Sequence, residues 1–109
     1  MIVKHSFPRI DLYTFGDAAF RPVLIQSMID NLSELKQSLS ASRERLDLEI
    51  FRKACHKVQT TLSILDIQKL SNLAQDLQDG IGREDKFSTF DSLCTDIMNG
   101  LLEEKNRKV

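Results

Sequence analysis

Leu48-Glu49-Ile50-Phe51-Arg52-Lys53-Ala54-Cys55-His56-Lys57-Val58-Gln59-Thr60-Thr61-Leu62-Ser63-Ile64-Leu65 decides how this chain folds. Leu48, Phe51, Cys55, Val58, Leu62 and Leu65 recur in steps of three and four, the seam of an amphipathic helix. At about 100° per residue, His56 lies ~130° from the centre of that seam. The spacing therefore predicts a helix with His56 turned to water, among Arg52, Lys53, Gln59, Thr60 and Ser63. The helix is expected to begin between Ser42 and Asp47 and to end near Leu65.

The same rhythm extends in both directions. Upstream, Leu24, Ile25, Met28, Ile29, Leu32, Leu35 and Leu39 form one apolar stripe from Ala18 to about Ser40. Asp17 is placed to cap its start, and Ser40-Ala41-Ser42 weakens the pattern at its end. Downstream, Ile67, Leu70, Ala74, Leu77 and Ile81 repeat the spacing, with Asp66 suited to cap the segment and Gly80 and Gly82 to stop it. A last stripe from about Asp85 carries Phe87, Phe90, Cys94, Ile97 and Leu101, with Met98 and Leu102 beside it. No segment alternates with the period of a strand. Four one-sided helices joined by short connections bury their faces by packing around one core. The expected fold is all-α: an antiparallel up-down four-helix bundle preceded by an extended lead or a short helix at residues 9–15.

With 109 residues, the chain suits a single domain spanning 1–109, its ends at 1–8 and 104–109 expected to be loose. A net charge of −1 lends no electrostatic support to nucleic-acid binding. No apolar run is long enough for membrane insertion, and the first ten residues lack the apolar centre of a secretion signal. Cys55 and Cys94 are the two cysteines, and both fall on apolar seams. They are expected to be buried reduced thiols, which suits a cytoplasmic protein.

Most catalytic constellations are missing from the sequence. Gly80-Ile81-Gly82 lacks the strand and spacing of a phosphate loop, and no metal-ligand cluster or nucleophile elbow occurs. His5 and His56 are the only imidazoles, and His5 lies in the lead. A solvent-facing imidazole on a helix is commonly decorative. The surroundings of His56 give it chemical meaning: cations one turn before it and hydrogen-bonding side chains one turn after. Neutral imidazole is abundant near pH 7 and attacks phosphorus without a dedicated base.

In these features the chain resembles the histidine-containing phosphotransfer (HPt) domains of bacterial multistep two-component relays. Ile10-Asp11-Leu12 followed by Phe15-Gly16-Asp17-Ala18-Ala19-Phe20 is similar to the family's opening, and Asp47 through His56 to its approach to the active histidine. Leu70, Leu77 and Gln78 fit the following helix without a gap. The resemblance implies a four-helix bundle in which His56 accepts a phosphoryl group on Nε2 from a receiver aspartate and passes it to another receiver. It implies a phosphotransfer intermediate, not an independent turnover enzyme. The expected partners are receiver domains and a hybrid sensor histidine kinase. The chain would hold no cofactor or metal of its own, the divalent ion belonging to the receiver, and would be a monomer. Lys53 and Lys57 would attract the acidic receiver pocket, and Gln78 would orient the ring. Ile64 and Ile67 are candidates either for the docking patch or for the core.

The chain departs from the family at three places. Gln59 replaces the lysine usual three residues after the histidine, Thr60 the small residue after that, and Asp66 a glycine. Losing that cation should cost ~1–3 kcal/mol, or one to two powers of ten in transfer rate. Two further readings therefore stand beside the carrier: a degenerate HPt module that docks a receiver or kinase without efficient transfer, and an unrelated helical bundle in which His56 is incidental.

Overall fold

The computed structural model describes residues 7–80 and 83–106, which form α1 (Pro8–Thr14), α2 (Phe20–Arg45), α3 (Glu49–Lys57), α4 (Gln59–Leu65), α5 (Gln68–Gln78) and α6 (Arg83–Asn106). No strand occurs among the described residues, so the all-helical expectation holds. His5 and Ile81 lie outside them.

The long α2 packs against α3 and α6, α5 packs against α3 and α6, and α1 lies against α2 and α4. Side-chain bonds give the directions. Ser42 Oγ accepts from the Phe51 amide at 2.9 Å, Lys57 Nζ donates to Glu34 at 2.8 Å, and Asn31 Nδ2 donates to Thr61 Oγ1 at 2.7 Å. Numbers fall along α2 as they rise along α3 and α4, so the two run antiparallel. Arg21–Glu104, Lys36–Thr95 and the Arg43 guanidinium over the Phe87 ring set α6 antiparallel to α2 in the same way.

The core follows the apolar seams. Ile25, Met28, Leu32 and Leu35 of α2, Leu70 and Leu77 of α5, and Phe90, Ile97 and Leu101 of α6 are almost wholly buried. Phe51 meets Phe90 edge-on, with ring centroids 5.5 Å apart, an arrangement aromatic pairs favour. Leu93 also joins the core, whereas Leu102 is exposed.

Several boundaries differ from the sequence expectation. Instead of fading at Ser40, α2 continues to Arg45, because Ser42 faces inward and its hydroxyl satisfies the Phe51 amide early in α3. Leu46 then takes a left-handed conformation (φ 54°) and its N–H closes on the Ser42 carbonyl. Asp66 does not cap α5 with its side chain. It adopts φ 51° and ends α4 through its N–H to Leu62 O, a conformation that Asp tolerates better than most residues. Asp17 is not the N-cap of α2, a position Ala19 takes without a side-chain bond; it holds the preceding turn instead, its Oδ1 accepting the Ala19 and Phe20 amides at 2.9 and 3.1 Å.

Described residues near both ends, Phe7 and Glu104, are tied to the rest of the fold. Phe7 is buried, and its ring lies so close to Gly100 that a Cβ there would come within 3.3 Å of it. Pro8 opens α1, where a missing N–H costs nothing. At the other end, Arg21 donates to the Glu104 carboxylate at 2.7 Å and to its carbonyl at 3.0 Å, tying the last turn of α6 to α2.

Candidate functional site around His56

The helix carrying His56 is interrupted. The expected single helix divides at Val58 (φ −103°, ψ 18°) into α3 and α4. Val58 N still reaches Ala54 O and Leu62 N reaches Val58 O, so backbone bonds close on either side of the interruption. Val58, Thr60 and Thr61 crowd that turn with β-branched side chains, which lose rotamer freedom in a helix.

His56 therefore occupies the last turn of α3. Phe51, Ala54 and Cys55 of that helix are buried, while Arg52, Lys53, His56 and Lys57 are exposed. The imidazole has no hydrogen bond or ion pair among the described residues. Its ring is thus open to an incoming group, on a backbone anchored from behind.

The neighbouring cations are engaged unequally. Arg52 donates to the Gln78 carbonyl through Nε and a terminal nitrogen, at 2.9 and 2.6 Å, and to Glu49 at 2.7 Å. It ties α3 to the C-terminal end of α5, where a cation also complements the helix dipole. Lys57 pairs with Glu34 of α2 at 2.8 Å. Lys53 has no partner among the described residues. Gln59 and Thr60 are exposed and unpartnered too, but they lie beyond the bend. Gln78 reaches the neighbourhood of α3 through its backbone carbonyl; its half-buried side chain makes no bond to His56.

Other sequence candidates resolve differently. Ile64 is core and cannot contribute to a docking face, while Ile67 is half-buried against the core. Cys55 and Cys94 are free and buried, and desolvation pushes both thiols up to about 12. Such thiols stay protonated and inert near neutral pH. No group of three or more His, Cys, Asp or Glu is placed to hold a metal among the described residues. No helix there is long and apolar enough to cross a membrane.

One surface feature was not anticipated. Leu12, Tyr13, Phe15, Phe20 and Val23 are exposed, Phe15 at 95% and Leu12 at 70% of their free surface. They fall at the α1–α2 junction, and Arg9 ties α1 to the Ser63 carbonyl of α4 at 3.0 Å. The usable signal was Leu12 and Phe15 standing three apart while Ile10 and Thr14 take the inward positions. Apolar side chains gathered on a surface mark an interaction face more often than singly scattered ones do. A cleft of about 510 Å³ lined by Ser40, Arg43, Leu46, Leu48 and Phe87 does not include His56. The chemistry of His56 is that of an open face.

No protein-family model, curated protein or solved structure matches the chain.

Proposed function

We propose that this chain is a phosphohistidine carrier of the HPt type, with α2, the bent α3–α4 pair, α5 and α6 as the helices of an up-down four-helix bundle. The observation that carries the reading is the exposed, unpartnered imidazole of His56 on a helix whose opposite face is buried. A phosphoryl carrier needs this combination, because its nucleophile must enter another protein's active site without rearranging its own fold.

In the forward step the Nε2 lone pair attacks phosphorus of a receiver aspartyl phosphate in line. The N–P bond forms as the bond from phosphorus to the carboxylate oxygen breaks. The carboxylate leaves with the bonding electrons, and the imidazole keeps its proton on Nδ1. Transfer onward is the reverse of this step on another receiver. Positioning and charge stabilisation dominate such transfers, so a sparse site suffices when the receiver supplies the metal. The exposed apolar residues of the α1–α2 junction offer a face on which a receiver could dock. On this reading the partners are receiver domains and a hybrid sensor histidine kinase, and the carrier works as a monomer in the cytoplasm.

Incubation with a phosphorylated receiver tests the proposal. Acid-labile, base-stable label should appear on the wild type and be absent from His56→Ala. The degenerate docking module is favoured by the uncharged Gln59 and Thr60 and by the engagement of Lys57 with Glu34. Tight receiver binding without label on either protein would establish that alternative, and no binding at all would leave His56 incidental.

A further inference from the structure

Resting on the carrier reading, we infer that the cation meeting the phosphoryl group on His56 is Lys53, and that Glu34 regulates the site by withholding Lys57. Three cations lie within one turn of the imidazole, and their engagements separate them. Arg52 is fixed by the Gln78 carbonyl and Glu49, and so braces α3 against α5. Lys57 is paired across to α2 by Glu34. Lys53 is exposed and has no partner among the described residues.

The bend at Val58 makes the N-terminal side of His56 the side that counts. Lys53 and His56 stand three apart within unbroken α3, which makes their side chains surface neighbours. Gln59 and Thr60 follow the interruption and carry no charge. A lysine three residues before the ring thus stands in for one three residues after it. Its ammonium neutralises the equatorial phosphoryl oxygens as the N–P bond forms, and takes no part in bond making.

The Lys57–Glu34 pair is shallow. The lysine side chain is 70% exposed and the glutamate 39%, so solvent screens their attraction and the pair biases Lys57 by a few-fold at most. A phosphoryl group at His56 carries more negative charge than one carboxylate and competes for the same ammonium. Glu34 therefore acts as a weak latch, which lowers the positive charge at the empty site and yields once the site is filled.

Phosphoramidate serves as the probe, because it needs no receiver. Its N–P bond breaks, ammonia leaves, and phosphorus bonds to the imidazole. The rate of phosphohistidine formation is followed by ³¹P NMR in the wild type and in Lys53→Ala, Lys57→Ala, Glu34→Gln, Glu34→Gln/Lys57→Ala and His56→Gln. Thermal melting checks that each variant is folded. Lys53→Ala should slow the reaction about tenfold, as for loss of one charge-assisted contact. Lys57→Ala should change it less than about twofold. Glu34→Gln should raise it roughly two- to fivefold, an increase that disappears in the double variant and in about 0.5 M salt.

A Lys57→Ala defect larger than that of Lys53→Ala would overturn the assignment. So would a Glu34→Gln increase that survives in the double variant, since it would reflect simple removal of negative charge. Phosphohistidine that forms at equal rates in all the lysine and glutamate variants would refute the inference while leaving the carrier reading intact. A wild type that behaves like His56→Gln would remove both.

Discussion

The two faces of α3 hold opposite kinds of residue within nine positions. Inward, Phe51, Ala54 and Cys55 are packed into the core, and Phe51 meets Phe90 of α6. Outward, Lys53 and His56 make no hydrogen bond or ion pair among the described residues, Arg52 engages Gln78 and Glu49, and Lys57 pairs with Glu34. The difference teaches that packing and availability belong to different sides of one helix. The inner face determines where the imidazole sits, and the outer face leaves it available.

That separation can be broken from the inside first. Truncating Phe51 or Phe90 to Ala should cost about 3–5 kcal/mol in urea unfolding, the range for large-to-small core substitutions. A loss below ~1 kcal/mol would mean that the inner face does not anchor the helix.

Alkaline pH probes the same face more gently. Folded Cys55 and Cys94 titrate at about 12, whereas an unfolded thiol titrates near its ordinary value of about 8.5. The folded state thus holds more protons than the unfolded state between those values. Stability is unaffected below the unfolded pKa and falls as pH rises toward the folded one, by up to about 1.4 kcal/mol per pH unit for each thiol. Unfolding measured across pH 8.5–11 should show the slope of Cys55→Ala/Cys94→Ala reduced relative to wild type, even if its absolute stability is lower. Equal slopes would place those thiols in water.

Ser42→Ala removes the buried acceptor of the Phe51 amide and should cost about 1–2 kcal/mol, read as a lower denaturation midpoint with an unchanged denaturant slope. The smallest expected effect is on the outside. His56→Gln should change stability by less than ~0.5 kcal/mol while abolishing phosphohistidine formation. A large stability loss there would show that the imidazole has a structural task after all.

The inner face of α3 was legible in the sequence because periodicity records burial directly. Phe51, Cys55, Val58 and Leu65 of the predicted seam are all buried, and His56 is exposed, as its angular position required. What escaped depends on contacts between residues far apart or on backbone choices that several residue types permit. Ser42 reads as a weak point in a helix, since its bond to Phe51 exists only once α2 and α3 have turned back on each other. Asp66 suits both a side-chain cap and a left-handed turn, and nothing local selects between them. The bend at Val58 leaves the three-four rhythm unchanged on either side. The pairing of Lys57 with Glu34 spans 23 positions between helices, and so the unequal engagement of the cations around His56 could not be read from their spacing.

The most direct test of the account is a rapid-quench time course with a phosphorylated receiver, in which label leaving the aspartate is followed alongside label arriving on this chain and its position is mapped by mass spectrometry under alkaline conditions. The account predicts that the two curves mirror each other and that the label maps to His56. Loss of label from the receiver as inorganic phosphate, with none reaching His56, would contradict it.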